Sequence, residues 1–245
     1  MKRSLVGWMV AVVLAVGGAA FAYVFWFAGG SGEPSTDLMT PELSVTTTTT
    51  PTGSSTTGSS NETTGGSSFE IDQARSIARF EIDEFLNGNP THVVGTTDQV
   101  VGQIRVDVTD LSSIEFSEII VNARTLDTGS ERRDRAMRGP IILDSGSDEN
   151  ELITLVVTSV DGLSGEAAVG ESFEFTVDGD LTIKGNTQPV TFDVVVALVD
   201  DNTVEGSAAA NITRDMFEIG IPSVASVADV TNEVLIGLEF VAVAG

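Results

Sequence analysis

The groups in this chain that could do chemistry are few. Among its 245 residues there is no cysteine. Thiol catalysis, thiolate metal sites and disulfides are therefore excluded. So is a bacterial lipoprotein anchor, which needs a cysteine to acylate. His92 is the single histidine, so a Ser-His-Asp relay would have to use it. Its setting, Thr91-His92-Val93-Val94-Gly95, carries no nucleophile-elbow pattern and reads as a partly exposed strand or turn. No glycine-rich loop precedes a helix to cradle phosphate, and paired carboxylates are too abundant to single one out. Asp144, Asp148, Asn150 and Glu151 share one acidic loop. Calcium takes oxygen ligands from such loops, but the EF-hand glycine and spacing are missing. A solvated loop without a metal is the expectation. The chain reads as a non-enzyme without a cofactor, and a hydrolase is the catalytic alternative.

The arginines are more distinctive. The chain has 36 acidic and 12 basic residues, a formal charge of −24. Residues 1–68 carry Lys2 and Arg3 against Glu33, Asp37, Glu42 and Glu62, a sum of −2, so the remainder carries −22. Such a surface repels phosphate backbones, and nucleic acid is not an expected partner. Yet Arg124, Arg132, Arg133, Arg135 and Arg138 fall within fifteen positions. Guanidinium binds phosphate bidentately, so Arg132, Arg133 and Arg135 are candidates for contact with an anionic headgroup or membrane face. The structural alternative pairs these arginines with Glu131, Asp134 and Asp144, holding a helix in place.

The elements that must position these groups are strands. Phe173, Phe175, Val177, Gly179, Leu181 and Ile183 occupy every second position, with Glu174, Thr176, Asp178, Asp180, Thr182 and Lys184 between them. Val190, Phe192, Val194, Val196 and Leu198 repeat the pattern beyond a Gly-Asn turn. Strict alternation means one dry and one wet face. Strands are expected near 75–83, 92–108, 114–124, 151–160, 171–184, 189–200, 203–213 and 233–243. Turn signals separate them at Asn87-Gly88-Asn89-Pro90, Asp161-Gly162, Lys184-Gly185-Asn186 and Asp200-Asp201-Asn202. Ser130 to Arg138 reads as one short helix, with Ser130 as N-cap and Gly139 past its end.

Eight or so strands without crossover helices imply an all-β, antiparallel, up-and-down barrel, with a sandwich as the alternative. Gly102, Gly179, Gly206 and Gly237 lie inside strands, where glycine permits the bends a barrel needs. Closure would also remove exposed sheet edges; pairing of two copies as a homodimer would do so equally. The expected interior residues are Phe80, Ile82, Ile104, Val106, Phe175, Val177, Leu181, Ile183, Phe192, Val194, Val196, Ile236, Leu238 and Phe240. They either pack a solid core or line a cavity for an apolar ligand, since ~8 strands enclose room for one small guest. Ala208, Ala210 and Gly237 would leave space.

Two appendages precede this domain. Leu5 to Ala28 is 24 residues without a charge, about 36 Å as a helix at ~1.5 Å per residue and enough to span a ~30 Å hydrocarbon core. Lys2 and Arg3 precede it, and no basic residue follows until Arg75. The positive-inside rule then places the N-terminus in the cytoplasm and the domain outside. Trp8, Tyr23 and Trp26 suit the two interfaces. A cleaved signal peptide is the alternative, but its apolar core is usually ~7–15 residues. Residues 1–28 are accordingly expected to be a retained membrane anchor. In 29–68, 31 of 40 residues are Gly, Ser, Thr or Pro. Such a stretch is expected to be a disordered linker, with ends roughly 35 Å apart from ~5–6 Å times the square root of its length. The globular domain is then 69–245.

Four blocks in the domain resemble the YceI-like family. They are Phe69 to Phe80 (FEIDQARSIARF), Glu131 to Asp144 (ERRDRAMRGPIILD), Gly179 to Phe192 (GDLTIKGNTQPVTF) and Ala228 to Phe240 (ADVTNEVLIGLEF). Their order is that of the family, and the third block is the most specific. The resemblance implies a lipocalin-like barrel associated with binding polyisoprenoid lipids. It implies a bound isoprenoid or quinone-like lipid in the interior and no chemistry. Two positions depart from the family pattern. Arg75-Ser76 stands where a His-Ser pair is frequent, and Ile142-Leu143 where an aromatic pair is. The functional alternative is a solid β-domain that contacts a partner protein or the cell wall.

Overall fold

The computed structural model describes residues 34–43, 66–222 and 224–245. The strict alternation of the middle of the chain builds its longest ladder. Strands β9 (Ser172–Ile183) and β10 (Asn186–Asp200) pair antiparallel from Ile183 opposite Asn186 to Ser172 opposite Ala197. The turn between them is Lys184-Gly185 with φ of 52° and 73°, one residue earlier than the Gly-Asn turn expected. Positive φ at both central residues matches the right-handed strand twist. Asn87-Gly88, with φ of 52° and 79°, joins β2 (Ile77–Leu86) to β3 (Asn89–Thr97) in the same way.

The remaining strands are β1 (Ser67–Ile71), β4 (Val100–Val101), β5 (Gln103–Asp107), β6 (Asp110–Phe116), β7 (Ile119–Asn122), β8 (Leu152–Asp161), β11 (Thr203–Thr213), β12 (Val227–Ala228) and β13 (Glu233–Ala244). All pairings are antiparallel. The sheet runs β4-β7-β8-β9-β10-β11-β13-β1-β5-β6, while β2 joins β13, β3 and β12. The fold is all-β, a curled antiparallel sheet with, among the described residues, one α-helix, α1 (Glu131–Met137). Its dry face is concave. Phe175, Val177, Leu181, Ile183, Val190, Phe192 and Val194 form one buried cluster with Ile212 and Phe217; Phe69, Ile104, Val106, Leu111 and Phe240 form another.

Several expected strands are broken, and each break has a local cause. The span 92–108 is β3, β4 and β5. Thr97 and Asp98 interrupt it: the Thr97 hydroxyl and the Asp98 carbonyl accept from the N–H groups of Gln99 and Val100 at 3.0 and 2.9 Å. The span 114–124 divides into β6 and β7 at Ser117, whose hydroxyl accepts from Gln103 N–H at 2.8 Å and donates to the Glu118 carbonyl at 3.0 Å. The strand expected at 75–83 is β2, and an unexpected strand, β1, precedes it across a 3₁₀ turn, Gln73–Arg75, capped by Asp72. Polar side chains that bond their own backbone compete with the ladder. Ser130 sits at the N-cap of α1 but makes no side-chain capping bond. The nearby buried Asp134 instead accepts from the Thr128 N–H at 3.0 Å and hydroxyl at 2.6 Å.

Glycines inside strands serve close approach more than bending. Gly95 lies directly opposite Phe80, and a Cβ there would fall 2.2 Å from the phenyl ring. Gly206 lies opposite Phe240 in the same manner, at 2.7 Å. Both rings lie across the glycine backbone, an arrangement that restores the packing a strand glycine lacks.

The expectation of a wholly disordered linker over 29–68 is corrected in part. β1 begins at Ser67, and within 34–43 Ser35 and Thr36 bond to Glu151 of the domain. The apolar run Leu5–Ala28, its flanking Lys2 and Arg3, and the linker over 44–65 lie outside the described residues. Among the described residues no helix is long and apolar enough to cross a membrane.

Candidate functional site

The inward side chains do not fill the curled sheet. They surround a cavity of about 830 Å³, within the ~300–1,000 Å³ of small-molecule sites. All fourteen residues placed inside by alternation line it: Phe80, Ile82, Ile104, Val106, Phe175, Val177, Leu181, Ile183, Phe192, Val194, Val196, Ile236, Leu238 and Phe240. Ala208 and Gly237 line it too, whereas Ala210 is buried in the wall without reaching it. The strand directions give the cavity two unlike ends. At one, β5, β8, β10 and β13 finish. There the 162–171 loop crosses over, held by Leu111 N–H to the Gly165 carbonyl at 2.9 Å and Ala167 N–H to the Val108 carbonyl at 2.7 Å. Leu163 and Ala167 pack inward against the Phe69–Leu111 cluster. That end is greasy.

Polar groups gather at the other end, where β2, β7, β9 and β11 finish. Helix α1 brings Ser130, Arg132 and Arg133 to the cavity; the 214–230 segment brings Arg214 and Ser226; the β2–β3 turn brings Asn87. Arg133 Nη2 donates to Glu84 Oε1 at 2.9 Å, and Glu84 is nearly buried. This gives Arg133 the pairing role of the structural alternative, but with a strand carboxylate instead of Glu131, Asp134 or Asp144. Arg132 is exposed at the rim of the cavity. Arg135 is exposed too but does not line it, so the expected trio is split. Arg214 donates to the carbonyls of Thr231, Ile219 and Val230 at 2.7, 3.2 and 3.1 Å, tying the 214–231 segment into one piece.

Arg124 and Arg138 are structural. Arg124 reaches the carbonyls of Ser145 and Gly146 and the carboxylates of Asp148 and Glu151; Arg138 Nε donates to the Arg124 carbonyl at 2.8 Å. The solvated reading of the acidic loop is therefore wrong for Glu151, which is fully buried. Burial pushes its pKa up, but the hydrogen bonds from Ser35, Asn122 and Thr36 outweigh burial and bring it down to about 2. Asp144 accepts from Asn150 Nδ2 at 3.0 Å. No cluster of three or more metal-ligating side chains occurs among the described residues.

His92 stands apart from the cavity, on the outer face of β3. Its Nδ1 lies 2.7 Å from Asp83 Oδ1 and its Nε2 3.2 Å from Glu81 Oε2. The Asp83 hydrogen bond, partly opposed by desolvation, raises its pKa above 6.5. Arg75-Ser76 serves the seam between β1 and β2. Arg75 Nε pairs with Asp72 at 2.6 Å, and the buried Ser76 hydroxyl accepts from Val241 N–H at 3.1 Å. Ile142 and Leu143 both line the cavity.

Sequence reasoning missed Glu84 and Arg214, and it placed Glu151 in a solvated loop. Only Glu84 left a signal: it continues the inward series Phe80, Ile82, Glu84, Leu86, a carboxylate on a dry face.

A curled antiparallel sheet around an apolar cavity, with one short helix and polar groups at one end, defines an all-β domain of lipocalin-like architecture. The chain belongs to the YceI-like domain family, whose model matches residues 69–242. It is 31% identical over 159 residues to a UPF0312 protein of Staphylococcus epidermidis, covering 62% of this chain and 82% of that one. A UPF0312 protein of Staphylococcus aureus is 31% identical over 146 residues, 60% of this chain and 75% of its own. Two solved structures share the fold. BcnA of Burkholderia cenocepacia has a TM-score of 0.54 at 22% identity over 70% of this chain and 98% of that one. A polyisoprenoid binding domain from Saccharophagus degradans has a TM-score of 0.56 at 13% identity over 72% and 98%.

Proposed function

We propose that this protein binds one long apolar lipid, a polyisoprenoid or a quinone-like molecule, inside its curled sheet, and performs no chemistry on it. The observation that carries this reading is the apolar cavity of about 830 Å³. A hydrocarbon guest would be held by burial, at ~0.8 kcal/mol for each CH₂. That energy is non-directional, so selectivity would come from the polar end, where Arg132 and Arg133 face the headgroup and Glu84 already engages Arg133. The pairings support a closed barrel. β8 leads through β9, β10, β11 and β13 to β1 and β2, these pair with β5 and β3, and β4 in the same bent stretch pairs with β7, which returns to β8. The likeness to the polyisoprenoid binding domain from Saccharophagus degradans agrees with the proposed guest. Leu5–Ala28, with Lys2 and Arg3 before it, supports an exported domain held at the membrane by an N-terminal helix whose own N-terminus is cytoplasmic.

Native mass spectrometry of the purified protein tests this, alongside uptake of an apolar fluorophore. A co-purifying prenyl-type mass and saturable uptake are expected, and Ala208→Trp, which fills the cavity from its wall, should abolish both. A wild-type protein that carries no lipid and takes up no fluorophore overturns the reading in favour of a solid interaction module.

A further inference from the structure

Glu151 has no solvent exposure, and a buried carboxylate must be matched by donors or it destabilises the fold. It receives five hydrogen bonds and one ion pair. Oε1 accepts from Ser35 N–H at 3.0 Å, Thr36 N–H at 3.1 Å and Asn122 Nδ2 at 2.7 Å. Oε2 accepts from the Ser35 hydroxyl and from Thr36 Oγ1 at 3.1 Å, and it forms an ion pair with Arg124 Nη1 at 3.2 Å. Four of the five hydrogen bonds come from two consecutive residues of the linker. The domain side is built without them. Asn122 Oδ1 accepts from Arg124 N–H at 3.0 Å, Ala123 N–H donates to the Glu151 carbonyl at 2.8 Å, and Arg124 Nε is fixed on the Ser145 carbonyl at 2.7 Å.

We propose that Glu151, Asn122 and Arg124 form a socket for the chain's own Ser35-Thr36 pair, so that the linker exists in a clipped, short form and a released, long one. The two consecutive amides converge on one oxygen at a bend in the backbone and the two hydroxyls read the side chains, so the socket selects adjacent hydroxyl residues. Charge-assisted bonds of this kind are roughly twice as strong as neutral ones. Clipping subtracts the residues from Pro34 onward from the spacer. Of the 40 residues of 29–68, only 29–33 then separate Ala28 from the clip in sequence. This consequence for the spacer rests on the anchor reading of 1–28; the clip itself does not.

Hydrogen exchange read by mass spectrometry on the full chain in detergent micelles tests the clip independently of any lipid. Peptides covering 34–43 should exchange at least tenfold more slowly than their intrinsic chemical rate. Ser35→Ala/Thr36→Ala and Glu151→Gln should each remove most of that protection, with β9 and β10 unchanged in the linker variant. A synthetic peptide of residues 33–43 should bind the Ser35→Ala/Thr36→Ala chain in trans and fail to bind Glu151→Gln. Exchange of 34–43 at the intrinsic rate in the wild type, or protection that survives both variants, overturns the proposal.

Discussion

The wall of the cavity and the socket around Glu151 are both buried, and they are built by opposite physics. The wall is apolar side chains on alternate strand positions, held by contacts that have no preferred direction. The socket is one charge matched atom by atom, five hydrogen bonds and one ion pair to two oxygens. A non-directional wall tolerates exchange among apolar residues of similar volume. A directional socket does not tolerate loss of either partner, because the other is left as an unmatched buried group.

The largest effect is therefore expected at the socket. Glu151→Leu leaves Arg124 and Asn122 without their shared acceptor and should cost about 3–5 kcal/mol. For a chain of this size that lowers Tm by roughly 6–20 °C, at ~2–4 °C for each kcal/mol. Calorimetry on the purified protein reads it directly. The same group shapes the acid limb. Its folded pKa is depressed from 4.5 to about 2, so its contribution is present above 4.5 and is lost as pH falls towards 2. Wild type should lose stability over that window more steeply than Glu151→Leu does. A variant within about 1 kcal/mol of wild type would erase the contrast between socket and wall.

The two regions also differ in how far they can be read from sequence. The wall was legible because alternation is a local property: knowing that Phe192 and Val194 face inward requires only their neighbours, and the strand period does the rest. The socket was not legible. Glu151 meets Asn122 from 29 residues away and Ser35 from 116, and no short-range pattern encodes such a meeting. In the linker, composition argued for disorder throughout, and one specific pair of hydroxyl residues overrode it at 34–43. The strand breaks at Thr97 and Ser117 lie between these extremes. Both residue types are strand-compatible, and only their hydrogen bonds to nearby backbone reveal the interruption. Glu84 could have been found, since a carboxylate in a run of inward apolar residues demands a cation, and Arg133 supplies it.

In the wall itself, Phe192→Ala should cost less than the ~3–5 kcal/mol usual for a packed phenylalanine. The ring borders an existing hollow on one side, so fewer contacts are lost. About 2 kcal/mol is expected by urea denaturation, with fluorophore uptake retained. A loss above 4 kcal/mol would mean that the wall is packed as tightly as an ordinary core.

The arginines at the polar end sharpen the contrast within a single helix. Arg133→Ala strands Glu84 in the wall and should cost about 1–3 kcal/mol. Arg132→Ala and Arg135→Ala, both exposed, should stay within about 0.5 kcal/mol of wild type. Binding to anionic liposomes separates them further. Arg132→Ala should weaken it while leaving neutral liposomes unaffected, and Arg135→Ala, away from the cavity, should weaken it less. Equal losses on both vesicle types would remove the headgroup role from this end of the molecule.

The smallest effect belongs to the outer face of the same strands that line the cavity. His92 sits between Asp83 and Glu81, back to back with inward Val93 and Ile82. Its folded pKa is raised above 6.5, chiefly by the Asp83 hydrogen bond, so the pairing contributes fully below 6.5 and is lost as pH rises through the folded value. Because the ring is about half exposed, water screens the pair and no more than a few tenths of a kcal/mol is expected. With a single histidine in the chain, its titration by NMR is unambiguous. Asp83→Asn should bring the midpoint down, with Glu81 alone holding it less firmly. A wild-type midpoint at or below 6.5 would show that this outer pairing is not formed in solution. The inner wall should be indifferent to either result, since an outward charge and an inward aliphatic side chain on adjacent residues point to opposite faces of the sheet.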